Sequence, residues 1–127
     1  MDLELVSKFF YQLLSGVHAE SYLNWNNSTE VRYPYLTYEF DYQPIDDLRT
    51  QFSVELRLFD YGTSKKNLIQ LESKLNKALH KQYVFNDDLN AYIRVERSMD
   101  MPTGNEKILR RDIYLTIKID MKNGGIN

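Results

Sequence analysis

Phe52-Ser53-Val54-Glu55-Leu56-Arg57-Leu58 sets an apolar side chain at every second position, with Ser53, Glu55 and Arg57 between them. Successive side chains of a strand point to opposite faces, so the stretch reads as a strand with one buried and one wet face. Upstream the same alternation runs from Tyr35 to Tyr42, with Leu36, Tyr38, Phe40 and Tyr42 on one side and Thr37, Glu39 and Asp41 on the other. Between the two lies Gln43-Pro44-Ile45-Asp46-Asp47-Leu48, which breaks the pattern. Two antiparallel strands joined by a moderately long loop are expected.

Downstream, Asp60-Tyr61-Gly62 closes the second strand, and Thr63 or Ser64 offers an N-cap for a helix. Leu68, Leu71, Leu75 and Leu79 recur at helical spacing, which carries that helix to about Lys81. Asn86-Asp87-Asp88 marks a turn, and Ala91, Ile93 and Val95 then alternate with Tyr92, Arg94 and Glu96 as a third strand. Ser98 to Glu106 holds Pro102 and Gly104-Asn105 and reads as a connection, disordered in the free subunit. The last strand alternates Ile113, Leu115, Ile117 and Ile119 with Tyr114, Thr116, Lys118 and Asp120. Toward the N-terminus, Leu3, Val6, Phe10, Leu13 and Leu14 predict a helix from about Asp2 to Ser15, stopped by Gly16. Val17 to Glu30 is polar and Asn-rich, with room for a short strand near Tyr22 and Leu23.

The order helix, two strands, helix, two strands predicts one α+β domain over residues 1–121, with a four-stranded, mainly antiparallel sheet carrying two helices on one face. Residues 122–127 are expected to form a flexible tail. The other face of the sheet would carry Glu39, Asp41, Glu55, Arg57, Arg94, Glu96, Lys118 and Asp120, with both signs of charge interspersed.

Sixteen basic against 18 acidic residues leave a formal charge of −2, which gives no long-range field to hold a polyanion. The adjacent basic pairs Lys65-Lys66 and Arg110-Arg111 lie among acidic or apolar neighbours. With no cysteine, neither disulfides nor thiolate zinc sites hold the fold, which suits a reducing compartment. No apolar run approaches the roughly 20 residues of a membrane span, and Met1-Asp2-Leu3-Glu4 lacks the basic start of a signal peptide. A cytoplasmic protein without a membrane role is the expectation.

Chemistry is sparse. His18 and His80 lack partners at metal or dyad spacing, and His80 near a helix end fits a favourable interaction with the helix dipole. Asp46-Asp47 and Asp87-Asp88 fall outside any spaced run of oxygen ligands. No glycine-rich phosphate loop, nucleophile elbow or lysine in an apolar run occurs, so neither catalytic residues nor a cofactor are expected. Ten tyrosines stand out, with Tyr33, Tyr35, Tyr38 and Tyr42 in one strand region and Tyr61, Tyr83, Tyr92 and Tyr114 elsewhere. Tyrosine joins a large apolar body to a hydrogen-bonding tip and is enriched at protein contacts. A groove for peptide or single-stranded nucleic acid is the competing use, although base stacking also needs a positive track.

Several of these stretches together resemble the tail terminator, or tail completion, proteins of long-tailed bacteriophages. The resemblance covers about residues 1 to 121 and rests on the amphipathic first helix and on Tyr33-Pro34-Tyr35-Leu36-Thr37-Tyr38 as a Pro-then-strand entry. It continues through Gln51 to Asp60 with the helix from Ser64, and ends on Arg111-Asp112-Ile113-Tyr114-Leu115-Thr116-Ile117. The Asn-rich stretch with Trp25 departs from it, since relatives often carry a Gly-containing connection there. The resemblance implies a homo-hexameric ring that sits on the last ring of the tail tube, halts its polymerisation and meets the head's connector. Such a subunit is made in the host cytoplasm, ends in the virion neck, catalyses nothing, and lets DNA pass through its lumen without specific binding. A neck or head-completion ring protein shares these features. Contacts with the tube or connector are expected from the loops, at Asp46, Asp47, Arg49, Met99, Met101 and Pro102, and contacts between subunits from the mixed-charge sheet face.

Overall fold

Every expected strand of the sheet is present, and two more flank them. The computed structural model describes residues 2–122; the expected flexible tail falls, beyond Lys122, outside the described residues. The elements in order are α1 (Leu3–Val17), β1 (Ser21–Leu23), β2 (Tyr35–Pro44), β3 (Arg49–Tyr61), α2 (Lys66–Leu79), β4 (Gln82–Phe85), β5 (Leu89–Met101) and β6 (Ile108–Met121). They form one six-stranded sheet in the order β1-β2-β3-β6-β5-β4, curled and mixed, because β1 runs parallel to β2 while every other pair is antiparallel. The four-stranded sheet in the order α-β-β-α-β-β is therefore corrected to six strands in the order α-β-β-β-α-β-β-β. Of the added strands, β1 falls where the sequence left room for a short strand near Tyr22 and Leu23, and β4, four residues long, is too short to show a period in sequence.

Asp2 caps α1 by accepting the Leu5 N–H (3.1 Å). Val6, Phe9, Phe10 and Leu14 form its buried stripe, and the helix passes Gly16 to end at Val17. In α2 the four leucines read from the sequence are all buried. Both helices lie on the same face of the sheet. There Phe10 meets Phe40 and Phe52 edge-on, with ring centroids 5.0 and 5.3 Å apart, a geometry that suits the ring quadrupoles. Phe52, Val54, Leu56 and Leu58 of β3 face Ile113, Leu115, Ile117 and Ile119 of β6 in the same layer, so the centre of the core is built by alternation alone.

Two connections are shorter than the sequence suggests. Strand pairing runs to Pro44 and resumes at Arg49, which leaves a turn of residues 45–48 in place of the loop expected from Gln43 to Thr50. Asp46 sets that turn by accepting the N–H groups of Leu48 and Arg49 (both 2.9 Å). Likewise Ser98 to Met101 belongs to β5, paired in register with β6, and only residues 102–107 connect the two strands. That connection is ordered by Thr103, whose hydroxyl bonds the carbonyls of Asn105 and Ile108 (2.9 and 2.8 Å), while Gly104 takes a positive φ of 77°.

What hid the end of β5 is a bulge between Val95 and Arg97. One extra residue shifts the phase of alternation. Ala91, Ile93 and Val95 face the helices before it, whereas Ser98 and Asp100 do so after it. There Arg111 binds Glu72 of α2, Asp100 (3.0 Å) and Ser98 (2.9 Å), and Lys65 binds Asp100 (2.8 Å). This polar cluster joins α2 to the far end of the sheet beyond the reach of the apolar core.

Candidate functional site

The face of the sheet that the helices leave open carries most of the residues singled out in the sequence. Register places Glu39 opposite Glu55, and Thr37 opposite Arg57, on β2 and β3. Arg57 is bracketed by the two glutamates and binds both, reaching Glu55 at 3.3 Å and pairing with Glu39. Without Arg57 the two carboxylates would repel across the strands. At one end Arg49 binds Asp120 (2.9 Å), and on β5 Arg94 lies 3.9 Å from Glu96. Asp41 and Lys118 are exposed and make no ion pair among the described residues.

Three residues on this face escaped sequence reasoning. Arg97, brought outward by the bulge, lies over the Tyr114 ring at 4.5 Å. Arg110 forks onto Asp112 through two 2.8 Å bonds, and Asp112 is wholly buried. The Asp112 carboxylate holds the guanidinium charged, pushing the Arg110 pKa up. Arg111 faces the opposite way, toward Glu72 and Asp100, so the sequence pair Arg110-Arg111 is divided between two faces and neutralised on each. No signal short of the strand register could have shown that. A doubly basic patch does not exist.

A groove of about 390 Å³ opens at the centre of the face, lined among others by Glu39, Asp41, Glu55, Glu96, Arg97 and Tyr114. Glu39 and Glu55 share Arg57, while Asp41 makes no ion pair among the described residues, so the groove is polar with an acidic lining. Among the described residues no three His, Cys, Asp or Glu side chains converge on one point to hold a metal.

The loop candidates separate. Asp47 sits exposed at the β2–β3 turn, next to exposed Ile45 and Leu48, so the hairpin tip has apolar as well as acidic character. Asp46 is the turn's own hydrogen-bond acceptor, with its pKa lowered by the Leu48 and Arg49 N–H groups, and Arg49 is held by Asp120. Met99 and Met101 are not in a loop. They are half-buried on β5, opposite Asp112 and Arg110, and only Pro102 lies on the exposed connection.

Both histidines are structural ties. His18 Nε2 lies 2.7 Å from the Pro34 carbonyl, and His80 Nδ1 accepts the Val95 N–H at 3.0 Å, at the bulge. That contact to the bulge, rather than the helix dipole alone, is what His80 supplies. The tyrosines divide as well. Tyr38 is core, and its burial pushes the phenol pKa up. Tyr33, Tyr35, Phe59 and Tyr61 cluster where β2 and β3 begin and end, with Tyr35 and Phe59 stacked at 5.0 Å. Tyr83, Phe85 and Tyr92 form a second group at the β4 edge, at the opposite end of the strand order. Between them the described face alternates in charge and lacks the positive track that single-stranded nucleic acid requires.

No protein-family model matches the sequence, and no curated protein matches it. Among solved structures, the fold is similar to a chain from the virion of a native gene transfer agent particle, with a TM-score of 0.68 at 9% sequence identity. The likeness covers 87% of this chain and 90% of that one.

Proposed function

We propose that this protein is a structural subunit of a phage-like virion, and more narrowly that it forms a ring, of six copies in the tail-terminator pattern, that caps the tail tube. The observation that carries the reading is the likeness of fold, over nearly the whole of both chains, to a component of a gene transfer agent virion. A largely self-compensated sheet face supports it, because a surface most of whose charges are already paired suits close contact with protein and gives DNA in a lumen little to adhere to. On this reading the partners are other copies of the chain, the major tube protein and a head-side connector. No reaction and no cofactor are involved. The protein is made in the host cytoplasm and resides at the head-proximal end of the tail.

Purified protein added to tube subunits as they polymerise tests the idea. A cap shortens the final tubes in proportion to the protein added, and the bound protein sediments with them. Tubes of unchanged length, with the protein left in the supernatant, would return the question to a monomeric module that binds through its tyrosines.

A further inference from the structure

The sheet ends in two strands of unlike character. At β1 the ends of a three-residue strand are tied to their own neighbours: Ser21 is buried with its hydroxyl donated to the His18 carbonyl (2.6 Å), and the Leu23 carbonyl accepts the Trp25 N–H (2.8 Å). At the other end β4 is paired with β5 alone. The Asn86 N–H donates to the Leu89 carbonyl (3.0 Å), so Val84 and Gln82, two and four residues earlier, are the positions that bond β5. By alternation, Tyr83 and Phe85 aim N–H and C=O away from the sheet. The same two residues carry rings that are each 65% exposed, stacked at 6.2 Å with only 4° between their planes. No charge and no proline stands between Gln82 and Phe85, although these are the usual devices that keep an edge from pairing.

We infer that β4 of a second copy of this chain occupies this edge, antiparallel, about a two-fold axis at Val84. The charges that flank the strand favour that register. With the axis at Val84, Tyr83 of one copy faces Phe85 of the other, so the outward backbone groups of both pair and the ring stacks join into a ladder of four. In the same register Gln82 faces Asn86, and Lys81 and Asp87, in the turns that flank β4, come to the same ends of the joined strands. Both Lys81 and Asp87 are exposed and make no ion pair among the described residues, and the two-fold brings them together as two pairs of opposite charge. Moving the axis to Tyr83 or Phe85 would set Lys81 against Phe85, or Asp87 against Tyr83, and lose both pairs.

A two-fold contact uses the same patch on both copies and cannot recur around a cyclic ring. The dimer is therefore the form of the subunit outside a ring, in which the aromatic edge is covered before assembly. With four strand residues on each side the contact is small, which sets its dissociation constant in the micromolar range or weaker.

Sedimentation velocity of the full chain at low salt, over a concentration series into the millimolar range, reads this directly. A monomer–dimer equilibrium is expected. Lys81→Asp and Asp87→Lys each put like charges together on both sides of the axis and should weaken the dimer by about tenfold. The double variant Lys81→Asp/Asp87→Lys restores it. Tyr83→Pro removes an outward N–H together with the exposed Tyr83 ring but none of the hydrogen bonds from β4 to β5, and should abolish the dimer while the fold still melts cooperatively. A chain that stays monomeric throughout, a dimer indifferent to Tyr83→Pro, or a double variant no tighter than the singles would each overturn the inference. A monomer that still caps tubes refutes the edge pairing alone, and a dimer that ignores tubes refutes the capping alone.

Discussion

Replacing Arg110 by methionine tests how the open sheet face is held. Asp112 lies on that face yet has no exposure, and its two oxygens each accept one 2.8 Å bond from Arg110. Arg110→Met keeps most of the side-chain volume and removes the only cation bonded to that carboxylate among the described residues. Stranding a buried charge costs about 3–5 kcal/mol, and because the Arg110 side chain is 24% exposed, water can reach the vacated site, which selects the lower end, about 3 kcal/mol. Against a total stability of about 5–15 kcal/mol that is a large loss. For a chain of this size it corresponds to a fall in Tm of roughly 12 °C. Removing both charges, with Arg110→Met and Asp112→Leu, strands nothing and should return to within about 1 kcal/mol of the starting protein. Urea unfolding of the four proteins, followed by circular dichroism, gives the cycle. A loss below about 1 kcal/mol for Arg110→Met alone, or a double variant worse than the single, would refute the claim that the pair is a buried unit.

Phe10→Ala removes the ring at the centre of the Phe10, Phe40 and Phe52 cluster and should cost about 3–5 kcal/mol in the same assay, with the outward face unaffected. His80→Ala leaves the Val95 N–H without its acceptor, so a loss of about 1–2 kcal/mol is expected, together with amide shifts confined to the bulge from Val95 to Arg97 in a proton–nitrogen correlation spectrum. Asp100 has its pKa lowered by hydrogen bonds from Lys65 and Arg111. A carboxylate held below its free value stabilises fully above the unfolded pKa, near 4, and loses that contribution as pH falls through the lower folded value. Between neutral pH and about pH 3 the wild type should therefore lose more stability than Asp100→Asn, and urea midpoints at a series of pH values would show it.

Much of the fold was legible in the sequence because the two central strands alternate without interruption and the four leucines of α2 keep one helical stripe. What escaped has local physical causes. Gln82 to Phe85 follows a helix directly, after Lys81 turns the chain with a φ of 58°, and four residues are too few to reveal a period. The bulge after Val95 inverted the phase, so Ser98 to Met101 looked irregular although its residues pair with β6. Thr37 was assigned to the wet face and lies on that side, but Tyr22 and Arg57 flank it in register and it is buried. For the open face, the residue types were readable and their pairings were not. Whether Glu39 faces a cation or another acid depends on strand register, which no single strand contains.

The most direct measurement is electron microscopy of tail tubes, assembled without a terminator and then mixed with this protein. A ring at one end of each tube is expected, with capped tubes that no longer lengthen when fresh tube subunits are added. Bare ends that continue to grow, with the protein unbound, would contradict the capping.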